Sequence, residues 1–138
     1  MSKIVWTNGC FDVLHRGHIE LFKFAREVAG DDGTVIVGID TDDRVSKMKG
    51  PTRPFNRQYD RKFVLQSIMY IDKVVYFKDE QKLISLIKKY NCDIMIVGSD
   101  WKNKRVVGSE NVSSVLYFER MENYSTTKIL EGKRDICF

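Results

Sequence analysis

The sequence predicts an α/β domain built on one doubly wound, five-stranded parallel sheet with helices on both faces. Three observations carry that expectation. Short runs rich in β-branched and aromatic residues alternate with helical patterns along the chain. Several of these runs are apolar at consecutive positions, as strands covered on both faces are. The 138 residues, 43% apolar and 30% charged, make about one domain, enough to bury roughly two-thirds of the unfolded surface without metal or disulfide staples.

The first strand reads over Lys3–Thr7 (KIVWT) and the second over Thr34–Ile39 (TVIVGI). Between them His18–Val28 sets Ile19, Phe22, Ala25 and Arg26 on a helical spacing, with Leu21, Phe24 and Val28 alongside. Met48–Arg57 holds both prolines and reads as the one long irregular connection, the kind of loop that often serves as a lid. A helix follows over Gln58–Tyr70, with Phe63, Val64, Ile68 and Ile71 apolar. Lys73–Phe77 is the third strand, and Glu80–Tyr90 a helix with Leu83, Ile84, Leu86 and Ile87 inward. Asp93–Val97 and Ser114–Phe118 complete the sheet. With no internal repeat or linker the chain reads as a single domain over 1–138, with a core to about residue 130 and a short tail over 131–138.

Charge and cysteine usage narrow the function classes. The net charge is +4, with basic and acidic residues mixed along the chain rather than gathered in a stripe. A nucleic-acid partner is therefore not expected. The mild positive excess suits a small polyanion and is equally normal for a solvated surface. Cys10, Cys92 and Cys137 are far apart and odd in number, which argues against a disulfide frame or zinc site. No run approaches the roughly 18 apolar residues of a membrane span, and the first residues lack the apolar segment of a signal peptide. A cytoplasmic protein with no membrane partner is the expectation.

Ligands of open α/β sheets bind beyond the carboxyl ends of the strands. After the first strand comes Thr7-Asn8-Gly9-Cys10-Phe11-Asp12-Val13-Leu14-His15-Arg16-Gly17-His18, and both histidines of the chain fall in its last four residues. Gly9 suits a tight turn, and Gly17 removes a side chain where a phosphate would approach a helix start. The helix N-terminus adds unpaired N–H groups and partial positive charge. Two imidazoles flanking Gly17 can then donate to phosphate oxygens, neutral or partly cationic. The competing reading is a pair of surface histidines that only cap a helix.

These residues resemble the signature of the H-x-G-H nucleotidylyltransferase superfamily, particularly its cytidylyltransferase-like branch with a Rossmann-like domain. The resemblance runs on in order to about Leu130. Asp40-Thr41-Asp42 follow the second strand, Lys47 and Lys49 lie in the loop after it, and Asp60-Arg61 open the next helix. Val97-Gly98-Ser99-Asp100-Trp101 follow the fourth strand, and Arg120 precedes Tyr124-Ser125-Thr126-Thr127 as in glycerol-3-phosphate cytidylyltransferases. Other marks, Gly50–Asn56 and Val107–Glu110, are closer to the adenylyltransferase domain of ADP-heptose synthase.

The resemblance implies transfer of a nucleoside monophosphate from CTP or ATP to a small phosphorylated polyol or sugar, with pyrophosphate released. Glycerol 3-phosphate with CTP comes first and heptose 1-phosphate with ATP second. It implies His15, His18, Lys47 and Arg120 as catalytic residues. Thr7, Asn8, Gly9, Cys10, Phe11, Gly17, Arg61, Gly98, Asp100, Trp101, Tyr124, Ser125, Thr126 and Thr127 would bind the nucleotide; Asp12, Asp40, Lys47 and Lys49 the acceptor. Mg²⁺ would be held mainly by the triphosphate, with no protein cage, and the chain would form a homodimer. Plainer roles stay open for single residues: solvated loop charges for Lys47 and Lys49, helix support for Arg61, a helix cap for Ser125, and structural acceptors for Asp12 and Asp100. A nucleotide-binding sensor without turnover, a synthetase-like fragment and an interaction domain are the rival classes.

Overall fold

The computed structural model describes residues 2–119 and residue 130. Its strands are β1 Ile4–Gly9, β2 Thr34–Asp40, β3 Lys73–Phe77, β4 Ile94–Gly98 and β5 Ser114–Phe118. Its helices are α1 Arg16–Ala29, α2 Asp42–Lys49, α3 Gln58–Gln66 and α4 Glu80–Lys89. Every strand pairing is parallel, in the order β3-β2-β1-β4-β5. The doubly wound, Rossmann-like α/β fold is thus as the sequence predicts. Chain order reverses between β1 and β4, and a crevice forms beyond the carboxyl ends of strands at such a switch point.

Strand side chains alternate between two cores, because successive Cβ atoms leave opposite faces of a sheet. Val5, Val35, Val37, Ile39, Ile94 and Ile96 face one core, with Phe22, Ala25 and Ala29 of α1 and Leu65 of α3. Trp6, Ile36 and Met95 face the other, with Leu83, Leu86 and Ile87 of α4. Burial on both sides explains the unbroken apolar runs: in β2 all six residues after Thr34 are buried.

Three boundaries differ from the sequence reading. Helix α1 starts at Arg16, two residues early, because His15 and His18 cap it. Helix α2 has no counterpart in the apolar pattern, since Val45 is its one buried residue. It is set instead by polar chemistry: the Thr41 hydroxyl accepts from the Arg44 N–H, with Asp42 and Asp43 in the first turn and Lys47 and Lys49 in the last. Lys47 and Lys49 therefore stand on a helix rather than in a loop, and the irregular connection shrinks to residues 50–57. Helix α3 stops at Gln66 instead of Tyr70, where the Ser67 hydroxyl donates to the Phe63 carbonyl and the next N–H groups tighten to i−3 partners.

Cys92 sits in the second core at 4% exposure, and burial, reinforced by Asp93, pushes its thiol up to about 11 from an ordinary 9.0. The folded state then holds a proton that the unfolded state releases between those values, so stability falls as pH rises through that window. The loss is of order 2 kcal/mol. Denaturant titrations at about pH 8 and pH 10.5 are expected to show that loss in the wild type and a smaller one in Cys92→Ala. Equal losses would assign the slope to other groups.

Candidate active site

The switch-point crevice is floored by the ends of β1 and β4 and walled by the start of α1. Between β1 and α1 the chain must reverse quickly. The left-handed residue in that turn is Phe11, at φ 46°, rather than Gly9. Gly9 serves a different purpose: a Cβ there would lie 3.2 Å from the Phe11 ring, a tight contact from which the ring would have to shift by a few tenths of an ångström. Folded under Gly9, that ring meets His18 edge-on, with centroids 5.7 Å apart, and Phe22 at 5.1 Å.

His15 and His18 replace the usual hydroxyl and carboxylate of a capping box. The Gly17 N–H donates to Nδ1 of His15 and the His15 N–H donates to Nδ1 of His18, both at 3.1 Å. The rings stack at 3.9 Å between centroids, 29° apart. An Nδ1 that accepts a backbone N–H carries no proton, so each neutral ring keeps its hydrogen on Nε2. The two rings line a cavity of about 340 Å³ together with Asn8, Gly17, Lys49, Gly98, Asp100 and Trp101. They cap the helix and line the cavity at once.

A second cavity of about 300 Å³ shares the wall made by Asn8, Gly9, Lys49, Gly98 and Trp101. Cys10, Asp40, Arg44 and Glu80 supply its other polar groups, over an apolar lining that includes Phe77, Leu83 and Val97. Trp101 stands 46% exposed on the common lip. A Cβ at Gly98 would sit 2.5 Å from an Asp100 carboxylate oxygen, the end of an exposed side chain that can turn aside, so the glycine lets Asp100 fold over it rather than being required by the backbone. Burial raises the Asp40 carboxyl above the ordinary range, against the pull of the Arg44 hydrogen bond. Burial also raises the Cys10 thiol, against Lys49 and Arg61, so it is a neutral thiol near pH 7 and no ready nucleophile.

Most of the sequence-derived residues converge here, and four do not. Thr7 is buried and donates its hydroxyl to the Ile96 carbonyl, clamping β1 to β4. Lys47 is exposed at the end of α2 and lines neither cavity. Asp12, buried at 3%, accepts the Phe55 N–H at 2.5 Å and the Asn56 N–H at 2.9 Å, with Arg53 3.9 Å away. Its carboxylate ties down the 50–57 connection, so that segment is anchored rather than a loose lid. Arg61, at 2% exposure, donates to the carbonyls of Cys10, Asp40 and Asn56 and to the Asp42 carboxylate. It is a bolt behind the site, joining the ends of β1 and β2 to α3. Arg120, Tyr124, Ser125, Thr126 and Thr127 lie outside the described residues. Arg44 and Glu80 escape the sequence reading altogether; the signal for Arg44 is its place four residues after Asp40, which matters only once α2 is known to be a helix.

Residues 6–132 match the family described as cytidylyltransferase-like. The chain belongs to this family. It is a nucleotidyltransferase. Among curated proteins, this cytidylyltransferase-like chain is 43% identical over 134 residues to the bifunctional protein HldE of Campylobacter concisus. It is 40% identical over 136 residues to that of Helicobacter pylori. The matches cover 97% and 99% of this chain but 28% of each relative's length. Among solved structures, the lipopolysaccharide core biosynthesis protein from Thermoplasma volcanium shares the fold, with a TM-score of 0.69 at 17% identity over 88% of this chain and 99% of that one. Among the described residues no helix is long and apolar enough to cross a membrane, and no three His, Cys, Asp or Glu side chains gather as a metal cage.

Proposed function

We propose that this chain transfers the adenylyl group of ATP to the phosphate of heptose 1-phosphate or a close sugar phosphate, releasing pyrophosphate. The observation that carries the chemistry is the stacked pair of Nε2-protonated imidazoles on the wall of the first cavity, at the positive end of α1. The choice of ATP and a heptose rests on the likeness to the HldE proteins and on the marks at Gly50–Asn56 and Val107–Glu110. CTP with glycerol 3-phosphate, first in the sequence reading, falls to second place on that likeness.

In this reading the first cavity receives the nucleotide and the second the acceptor. A phosphate oxygen of the acceptor attacks the α-phosphorus in line with departing pyrophosphate, a reaction that needs positioning and charge neutralisation more than covalent help. His15 and His18 donate from Nε2 to the oxygens on which charge grows. Lys49, on the wall common to both cavities, offsets the repulsion between the two phosphates. Trp101 offers its face to the base, beside Asn8, Gly98 and Asp100. By the family resemblance Arg120 with Tyr124, Ser125, Thr126 and Thr127 would complete the phosphate contacts, while Lys47 stands outside both cavities. The donor set fits Mg²⁺ carried by the triphosphate, with Asp100 the one carboxylate on the first cavity among the described residues; bound there, the ion would neutralise phosphate charge. The exposed apolar side chains of Phe55, Tyr59 and Phe63 support a homodimer formed across α3.

A matrix of four nucleoside triphosphates against sugar and polyol phosphates, scored by pyrophosphate, tests the reading. The largest release is expected from ATP with heptose 1-phosphate. Faster release from CTP with glycerol 3-phosphate would replace it.

A further inference from the structure

We infer that Arg44, working with Asp40, determines specificity for the hydroxyl-bearing body of the acceptor. The inference rests on the reading that the second cavity seats the acceptor. Arg44 reaches back from α2 so that Nε donates to Asp40 Oδ1 at 2.6 Å, and its guanidinium lies 5.4 Å from the centre of the Phe77 ring. Both contacts fix the guanidinium plane. Among the described residues its hydrogen bonding uses Nε alone, which leaves the terminal Nη groups for a ligand. Arg61 nearby is the contrast, with all three of its nitrogens committed to protein oxygens.

The charge balance says what kind of ligand this is. Asp40 and Arg44 neutralise each other inside the cavity, Glu80 stands exposed as another lining residue, and Lys49 lies on the wall shared with the first cavity. A phosphate is therefore drawn to the Lys49 side, while the Asp40–Arg44 side suits neutral groups that both donate and accept. Neighbouring hydroxyls of a sugar do this: one accepts from Arg44 Nη while the next donates to the Asp40 carboxylate. Phe77, Leu83 and Val97 offer apolar surface to the C–H face of such a body.

Arg44→Met keeps the side-chain stem over Phe77 and removes the donors. The expected result is a KM for the sugar phosphate raised about tenfold to a hundredfold, with the KM for ATP and kcat held within about twofold. A deoxy acceptor lacking one contacted hydroxyl is expected to be penalised by the wild type and no longer by the variant. Should the stranded Asp40 charge unfold Arg44→Met, the double variant Asp40→Asn with Arg44→Met removes that charge and is read in the same way. An unchanged acceptor KM, or a rise shared equally by ATP, overturns the inference. A wild type that turns over no sugar phosphate overturns the functional reading instead.

Discussion

His18→Ala is expected to fold and to lose two to three orders of magnitude in turnover. The ring has two jobs on two nitrogens, and the substitution removes both. Nδ1 accepts the His15 N–H at the mouth of α1, a capping interaction whose loss costs about 1 kcal/mol. In our reading Nε2–H donates to the phosphate oxygens, and a preorganised donor of that kind supplies about 3–4 kcal/mol to the transition state. The two contributions separate in His18→Asn, whose side-chain oxygen can take the place of Nδ1 while nothing replaces the distal N–H. That variant is expected to regain most of the melting temperature lost by His18→Ala and almost none of the turnover. Thermal unfolding beside steady-state rates on the preferred substrate pair checks both halves. If His18→Asn regained turnover along with stability, the histidines would be caps alone.

What the sequence reveals and what it hides divide along a physical line. The sheet is legible because its signal is local and strong: β2 runs Val35, Ile36 and Val37 on consecutive positions with Ile39 after Gly38, and burial on both faces demands such a run. The histidine pair is legible for the same reason, since the cap and the cavity wall are built within four consecutive residues. Helix α2 is hidden because it buries Val45 and little else, so its start rests on Thr41 and its charges rather than on periodicity. With α2 hidden, Arg44 could not be brought back to Asp40, and Lys49 reaches the site only through the family resemblance. Gly9 invites the tight turn that Phe11 takes, because nothing in the local sequence says that an aromatic ring will come to rest beneath the glycine. Asp12 and Arg61 are hidden most deeply. Their charge and their neighbourhood to the motif fit phosphate chemistry, whereas their partners are backbone groups of the 50–57 connection and of strand ends distant in sequence. Such groups carry no trace in the residue string.

Arg61→Met is accordingly expected to be among the most destabilising single changes in the chain. The guanidinium is buried and bridges four acceptors: the carbonyls of Cys10, Asp40 and Asn56 and the carboxylate of Asp42. An apolar side chain of similar length fills much of the space but strands all four. Breaking a buried charge pair by removing one partner costs about 3–5 kcal/mol, which for a domain of this size lowers the melting temperature by roughly 10 °C or more. Arg61→Lys is expected to recover only part of the loss, because one ammonium cannot reproduce a planar fork donating in several fixed directions. Activity should fall as well, since Cys10 and Asp40 both line the second cavity and their backbone is what Arg61 holds. Stability is the quantity that discriminates between roles. A bolt behind the site predicts that Arg61→Lys melts early with nucleotide and acceptor KM disturbed together. A direct triphosphate contact predicts a normal melting temperature and a rise confined to the nucleotide KM. The burial of the guanidinium and the number of its protein acceptors favour the first outcome.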